Sequence, residues 1–363
     1  MAQSPAAEAL NPPVIVLPAR VEHVDGRSFE VNVFRDDVLP GGTKQRALEA
    51  MVLASDAAEF AYAGPYTGYA QLALAVVCAQ LQRQAVVICG RQRDNQLHPL
   101  TARAKSWGAK IIEVDSSVRR RGQFREATLR EIQRAGELYE SRRRGSCCLL
   151  PFGLGCDPFV LGLVEQLKLA LPERVLRHPP RRLWTVAGSA TLLKVFSLLW
   201  PNTQFLIVQV GKKVWPDIMG VTGLGDIDKG LQTAERSYAC VKFVANEHFY
   251  ERAREPPPYP SVCTYDAKAW YFIRRHAEPG DFVWNVAGDC QTVLSEEAHK
   301  VYEDWVAGTP PEHECAAERP SDAAVNDFQA DILRWYGADK AYDEWEVDQK
   351  KKHGHQGGSR WQK

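Results

Sequence analysis

Short apolar runs alternate along this chain with longer stretches in which apolar residues recur every three or four positions. The first kind reads as buried strand and the second as helix with one buried face. Residues 1 to about 15 are rich in Ala and Pro, and regular patterning begins at VIVLP. EHVDGRSFEVNVFRDD alternates around Asp25-Gly26, a two-residue hairpin signal. After LPGGTK comes a helix, QRALEAMVLAS. Then follow strand AEFAYAG, turn GPYTG, helix YAQLALAVVCAQL, strand QAVVICG, helix HPLTARAKSWG and strand AKIIEVD. This βαβαβ order with short turns predicts a parallel sheet wrapped by helices, a smaller domain over 55–146. Ser117 to Arg144 reads as helix.

GSCCLLPFGLGCDPFVLGLVEQLKLAL again gives strand, Gly-rich turn and helix, and here a larger domain of 1–54 and 147–363 is expected to resume. RRLWTVAGSATLLKVFSLLW is strand, small-residue turn and helix, and TQFLIVQVG is the next strand. A proline-rich connection over 251–261 leads to helix YDAKAWYFIRRHA and strand DFVWNVAG. From about 295 the chain reads as helix, then turns acidic from Asp343 to Asp348 and basic from Lys350 onward. The fold class is α/β, two domains each with a mostly parallel, helix-wrapped sheet.

Composition narrows the picture. The 363 residues suffice for two domains with real cores. Lys plus Arg and Asp plus Glu both total 45, so no net field announces a polyanionic partner. No apolar run reaches transmembrane length and no basic segment with an apolar core opens the chain, so a cytosolic protein without membrane contact is expected. The nine cysteines form no CxxC pair, and their odd number argues against a disulfide framework. His353 and His355 have no further ligand types at regular spacing, so no metal site is expected.

Candidate chemistry concentrates at Leu39–Glu49, LPGGTKQRALE. Two glycines let the backbone take positive φ and approach a ligand closely. A helix start there leaves N–H groups unpaired. Lys44, held beside a ligand, could lose its proton by desolvation and become a nucleophilic amine. A solvated surface lysine is the plainer reading of the local sequence.

RDDVLPGGTKQRALE resembles the lysine segment of fold-type II pyridoxal 5'-phosphate enzymes, nearest the aminocyclopropane-carboxylate deaminase and D-cysteine desulfhydrase group. The resemblance runs over roughly 30–290. It implies that Lys44 carries the cofactor and then acts as general base. It further implies a phosphate cup at AGSAT, with Gly188, Ser189, Ala190 and Thr191 at the start of a helix, where backbone N–H groups suit a phosphate. Ala190 stands where the family has Gly. AGPYTGYA falls where the family has a Ser/Thr-Gly-Asn loop for the ring hydroxyl and the substrate carboxylate. Tyr66 takes the asparagine position, Thr67 and Gly68 persist, and Pro65 removes a donor. CTYDAKAW is similar to the Tyr-x-Gly-Lys segment, which makes Tyr265 the catalytic tyrosine facing substrate. DFVWNVAGD is similar to the turn whose hydroxyl meets the ring nitrogen, with Asn285 in its place.

The function implied is a lyase acting at an amino-acid α-carbon. A clamp loop poor in donors suits decarboxylation, which needs the carboxylate out of the ring plane and badly solvated. RDDVLPGGTKQRAL also resembles phage-encoded enzymes of this fold tied to thymine hypermodification, in which an amino acid attached to the base is decarboxylated in DNA. That reading expects a basic surface from the nine arginines of Arg119–Arg144, from RHPPRR (Arg177–Arg182) and from the tail after Lys350. The same arginines, spaced against Glu126, Glu131, Glu137 and Glu140, also fit a solvated helix with i,i+4 pairs. A deaminase or desulfhydrase of a free small amino acid, or a non-catalytic binding relative, are the alternatives. A homodimer is the expected assembly.

Overall fold

The lysine turn leaves the end of a strand whose neighbours in the sheet come from far along the chain. The structure, a computed structural model, describes residues 10–116, 126–143, 145–210, 240–245, 247–249, 251–290 and 292–308. Its elements run β1 (Val16–Glu22), β2 (Ser28–Arg35), α1 (Gln45–Leu53), β3 (Glu59–Ala63), α2 (Tyr69–Gln80), β4 (Gln84–Gly90), α3 (Pro99–Ser106) and β5 (Lys110–Val114). They continue with α4 (Leu129–Ser141), β6 (Cys147–Leu150), α5 (Asp157–Ala170), α6 (Glu173–Arg177), β7 (Arg182–Ala187), α7 (Thr191–Leu199) and β8 (Gln204–Gln209). The last are β9 (Cys240–Val244), α8 (Trp270–His276), β10 (Phe282–Asn285) and α9 (Glu296–Ala307).

A six-stranded sheet has the order β1-β2-β10-β7-β8-β9, and a four-stranded one the order β5-β4-β3-β6. Among the described strands only the β1/β2 pairing is antiparallel and the others are parallel. Both sheets lie within one unit, Met1–Ala316. The division at 146/147 needs one correction: Cys147–Leu150 pairs with β3, because its register continues the smaller sheet. Two other expectations change in detail. The hairpin closes through five residues, since β1 and β2 last pair at Glu22 and Ser28, with Gly26 at φ +91°. Within Ser117–Arg144 the described helix is Leu129–Ser141, started by a Thr128/Glu131 capping box, and Glu126–Thr128 precede it as non-helical chain. α6 and β9 carried no clear pattern of their own.

β10 sits at the centre of the larger sheet, and its alternation divides the two faces. Phe282 and Trp284 enter the apolar core, where Trp284 packs on Phe34 (ring centroids 4.6 Å apart) and on Phe196 (4.7 Å). Truncating an aromatic at such a place costs about 3–5 kcal/mol. Asn285 takes the other face. Among the described residues no helix is long and apolar enough to cross a membrane.

Candidate active site

The end of β10 holds the lysine turn in place. Thr43 donates its N–H to the Val286 carbonyl at 2.9 Å, and Trp284 Nε1 donates to Thr43 Oγ1 at 2.8 Å. Gly42 has φ +64°, and a Cβ there would come within 2.5 Å of Val286 O. A Cβ on Gly41 would stand 2.7 Å from the Ala73 Cα of α2. Both glycines are thus needed, one for conformation and one for approach. The preceding Arg-Asp-Asp is buried: Arg46 pairs with Asp36 at 2.7 Å, and Arg35 grips Asp37 through two nitrogens at 2.7 and 2.8 Å. Charges removed from water need such partners.

Lys44 follows at the start of α1, partly exposed. Desolvation pulls its pKa down from 10.5 to about 8, against the opposing pull of Asp266. Asp266 is a residue that sequence reasoning missed. It is 7% exposed, and neither carboxyl oxygen has a hydrogen-bond partner among the described residues. Burial pushes its pKa well up, while the nearby Ala287 N–H and then Lys44 pull the other way. No local signal marks it, because its surroundings come from residues 37, 44, 287 and 289. Lys268, two positions on, is excluded as the reactive amine, since it donates to the carbonyls of His248 and Phe249.

Tyr265, beside Asp266, packs its ring against Gly188, where a Cβ would lie 2.7 Å from the hydroxyl. Burial raises its pKa, Asp266 adds to the rise, and the Gly188 N–H opposes it. The loop after β7 then turns into α7 through Ala190, which holds φ +59° without being glycine. Ser189 Oγ lies 3.0 Å from Thr191 Oγ1, and Thr191 Oγ1 donates to Gly153 O at 2.9 Å. Gly153 (φ +70°) leaves room for the Ser189 side chain, and its N–H donates to the Tyr62 hydroxyl at 3.2 Å. The PFGLG turn and AGSAT therefore meet at the helix start. The first N–H groups of α7 have no intrahelical acceptor.

The loop 63–70 is short of donors. Pro65 has no N–H, Gly68 gives its N–H to Pro65 O at 2.9 Å, and Tyr66 O already accepts from Gln71 and from Thr101 Oγ1. Thr67 Oγ1 is buried without a partner. Arg103, the guanidinium at this loop's edge, is committed to the carbonyls of Pro40, Gly288 and Asp289. Asn285 is the residue expected at the ring nitrogen. Both its N–H groups are engaged, at 2.8 Å to Asp37 Oδ1 and 2.8 Å to Pro260 O, which leaves only an unpartnered Oδ1. It can accept from a ligand but has no N–H left to donate.

These features fit pyridoxal phosphate: a desolvated amine, an orphaned buried carboxyl and a small-residue cradle at a helix start. No family model matches the chain, and no curated protein matches it. Solved structures do. The chain resembles an ACC deaminase homologue with a TM-score of 0.56 and 16% identity, over 84% of this chain and 99% of that one. It resembles a hydrogen sulfide-producing enzyme from Fusobacterium nucleatum at a TM-score of 0.51 and 12% identity, over 81% and 100% of the two chains. Diaminopropionate ammonia lyase from Escherichia coli gives a TM-score of 0.50 and 12% identity, over 84% and 92%. The fold is that of the fold-type II pyridoxal phosphate enzymes.

Proposed function

We propose that this chain is a pyridoxal phosphate-dependent lyase acting at the α-carbon of an amino acid, and that it removes the carboxyl group. The cofactor, when bound, supplies an aldehyde that joins amino groups and a ring that accepts the electron pair of a broken α-carbon bond. Lys44 would hold it, with Gly188–Thr191 and Gly153 around its phosphate, Asn285 Oδ1 as acceptor for the ring nitrogen and Asp266 near the amine. A pKa of about 8 leaves roughly a tenth of the Lys44 amine neutral at pH 7, enough for attack on an aldehyde. Tyr265, its ring held against Gly188 beside the phosphate cradle, would face the substrate. In the reaction the bond from Cα to the carboxylate breaks, carbon dioxide leaves, and a proton from the Lys44 ammonium reaches Cα. The net change is amino acid plus proton to primary amine plus carbon dioxide.

The observation that carries decarboxylation is the loop 63–70, where Pro65 has no N–H and the N–H groups of Gly64 and Gly68 are already bonded to Ile88 O and Pro65 O. A carboxylate there is poorly held, which favours its loss. Ammonia release is the second reading. The unpartnered Thr67 hydroxyl supports it as a carboxylate donor, as do the deaminase and ammonia lyase among similar structures. The substrate proposed is an amino acid attached to a DNA base. Support comes from the exposed Arg130, Arg134 and Arg142 on and just after α4. The Arg177–Arg182 segment contributes less than its composition suggests: Arg182 is buried against Asp281 and Glu278, and Arg177 pairs with Glu173. The basic tail and Arg119–Arg125 lie outside the described residues.

Incubating the protein with pyridoxal phosphate should give a visible band that borohydride traps on Lys44. Carbon dioxide and a primary amine are the expected products from an amino acid carried on the base. Ammonia with a keto acid would decide for the second reading. No band and no product would leave a binding protein.

A further inference from the structure

Asn285 ends β10, which lies between β2 and β7 in the larger sheet. The three strands run parallel, so their carboxyl ends share the edge at which such sheets take ligands. Asn285 is in register with Arg35, where β2 leaves for the lysine turn. On its other side β7 leads into Gly188–Thr191. The next residue, Val286, accepts the Thr43 N–H at 2.9 Å, so a backbone bond ties Asn285 to the neighbour of Lys44. The amide is thus set between the segment that carries the amine and the cradle for the phosphate.

Its orientation is forced. One N–H meets Asp37 Oδ1 and the other Pro260 O, both at 2.8 Å, and a carboxylate and a carbonyl can only accept. Turning the amide over would set its oxygen against both. Asp37 stays a carboxylate because Arg35 holds both its oxygens, at 2.7 and 2.8 Å, and the pair is buried. Asn285 is 1% exposed, and its Oδ1 has no partner among the described residues.

We propose that Asp37 is a positioning residue: gripped by Arg35, it locks the Asn285 amide with the oxygen toward the cleft, so that the site takes its cofactor through a protonated ring nitrogen. This rests on the cofactor of the lyase reading above and adds the protonation state that the site selects. A fixed acceptor repels the lone pair of a neutral pyridine and bonds a pyridinium. A pyridinium is also the stronger electron sink, which suits breaking a bond at Cα. A hydrogen bond to a charged partner strengthens binding roughly ten- to a hundredfold.

Equilibrium dialysis of the cofactor-free protein compares pyridoxal phosphate with its isosteric analogue bearing C–H in place of the ring nitrogen. Pyridoxal phosphate should bind at least tenfold tighter, and its ring-nitrogen NMR resonance should be that of a pyridinium at neutral pH. Equal or tighter binding of the analogue, or a neutral-ring resonance, overturns the proposal. Asn285→Ala should cut the difference below twofold. A difference that survives it means that another acceptor, such as Asp266, takes the N–H, and overturns the proposal too. Asp37→Asn keeps an oxygen toward Arg35 and Asn285 and should keep the pyridinium resonance. Asp37→Leu with Arg35→Met removes the pair together, leaves no unpaired buried charge, and should move the resonance to that of a neutral ring. Arg35→Lys, which loses the two-point grip, should move it part of the way. A pyridinium resonance unchanged in both, with the proteins folded, overturns the role of Asp37. Carbon dioxide release without the affinity difference rejects the lock and leaves the lyase. The difference without any product rejects the lyase and leaves the lock.

Discussion

At Lys44 the chemistry turns on a proton. The unfolded chain keeps it up to about 10.5 and the folded chain releases it near 8, so between those values the unfolded form binds more protons. Stability should therefore rise with pH across that window. Urea titrations at pH 8 and pH 10 should show this rise, and Lys44→Met should remove it. Asp266 opposes the shift, so Asp266→Asn should move the midpoint of amine labelling in the cofactor-free protein below that of the wild type. A higher midpoint would mean the carboxyl does not face the amine. The two residues differ in legibility for one reason. Lys44 announces itself through a turn that needs only its neighbours, Gly41 to Thr43. Asp266 becomes a buried, orphaned acid only through partners scattered over the chain. Ala190 lies between: its small side chain was visible, but its left-handed backbone was not, since the sequence lacks the glycine that would mark it.

Among elements, the lysine turn is the most constrained. Gly42→Ala would add a methyl at φ +64° and within 2.9 Å of Ala287 Cβ. The left-handed conformation alone costs about 1–2 kcal/mol, and the clash adds to it. A loss of about 2 kcal/mol or more in a denaturant melt is expected, with weakened cofactor retention. Gly26→Ala, with nothing within 4 Å, tests the same conformation without the clash and should lose less. Most elements were readable because parallel strands buried on both faces are short apolar runs, and their helices carry one apolar side. The boundary at Cys147 was not, because CCLL reads alike in either sheet. Pairing with β3, rather than composition, assigns it.

For the whole molecule, the neutral total charge says little about partners, and placement says more. Arg143 is engaged with Glu59 and stacked on Tyr139, whereas Arg130, Arg134 and Arg142 are exposed without a described ion pair. Reversing those three to Glu should weaken DNA binding across sequences and leave cofactor capture intact. In the wild type, log affinity should fall against log salt by about 0.9 per phosphate neutralised. A flat salt response would remove DNA as the carrier of the substrate. The position of β10 bears on synthesis as well. This strand is central in its sheet, yet it is the last strand made among the described residues, and Thr43 bonds Val286 across 243 positions of sequence. At about 5–20 residues per second, a ribosome reaches that partner roughly 12–50 s after the lysine turn has been made. Until then β2 has an open edge and nothing desolvates Lys44, so a nascent chain stopped before Phe282 should carry an ordinary, protonated lysine and leave the cofactor unbound.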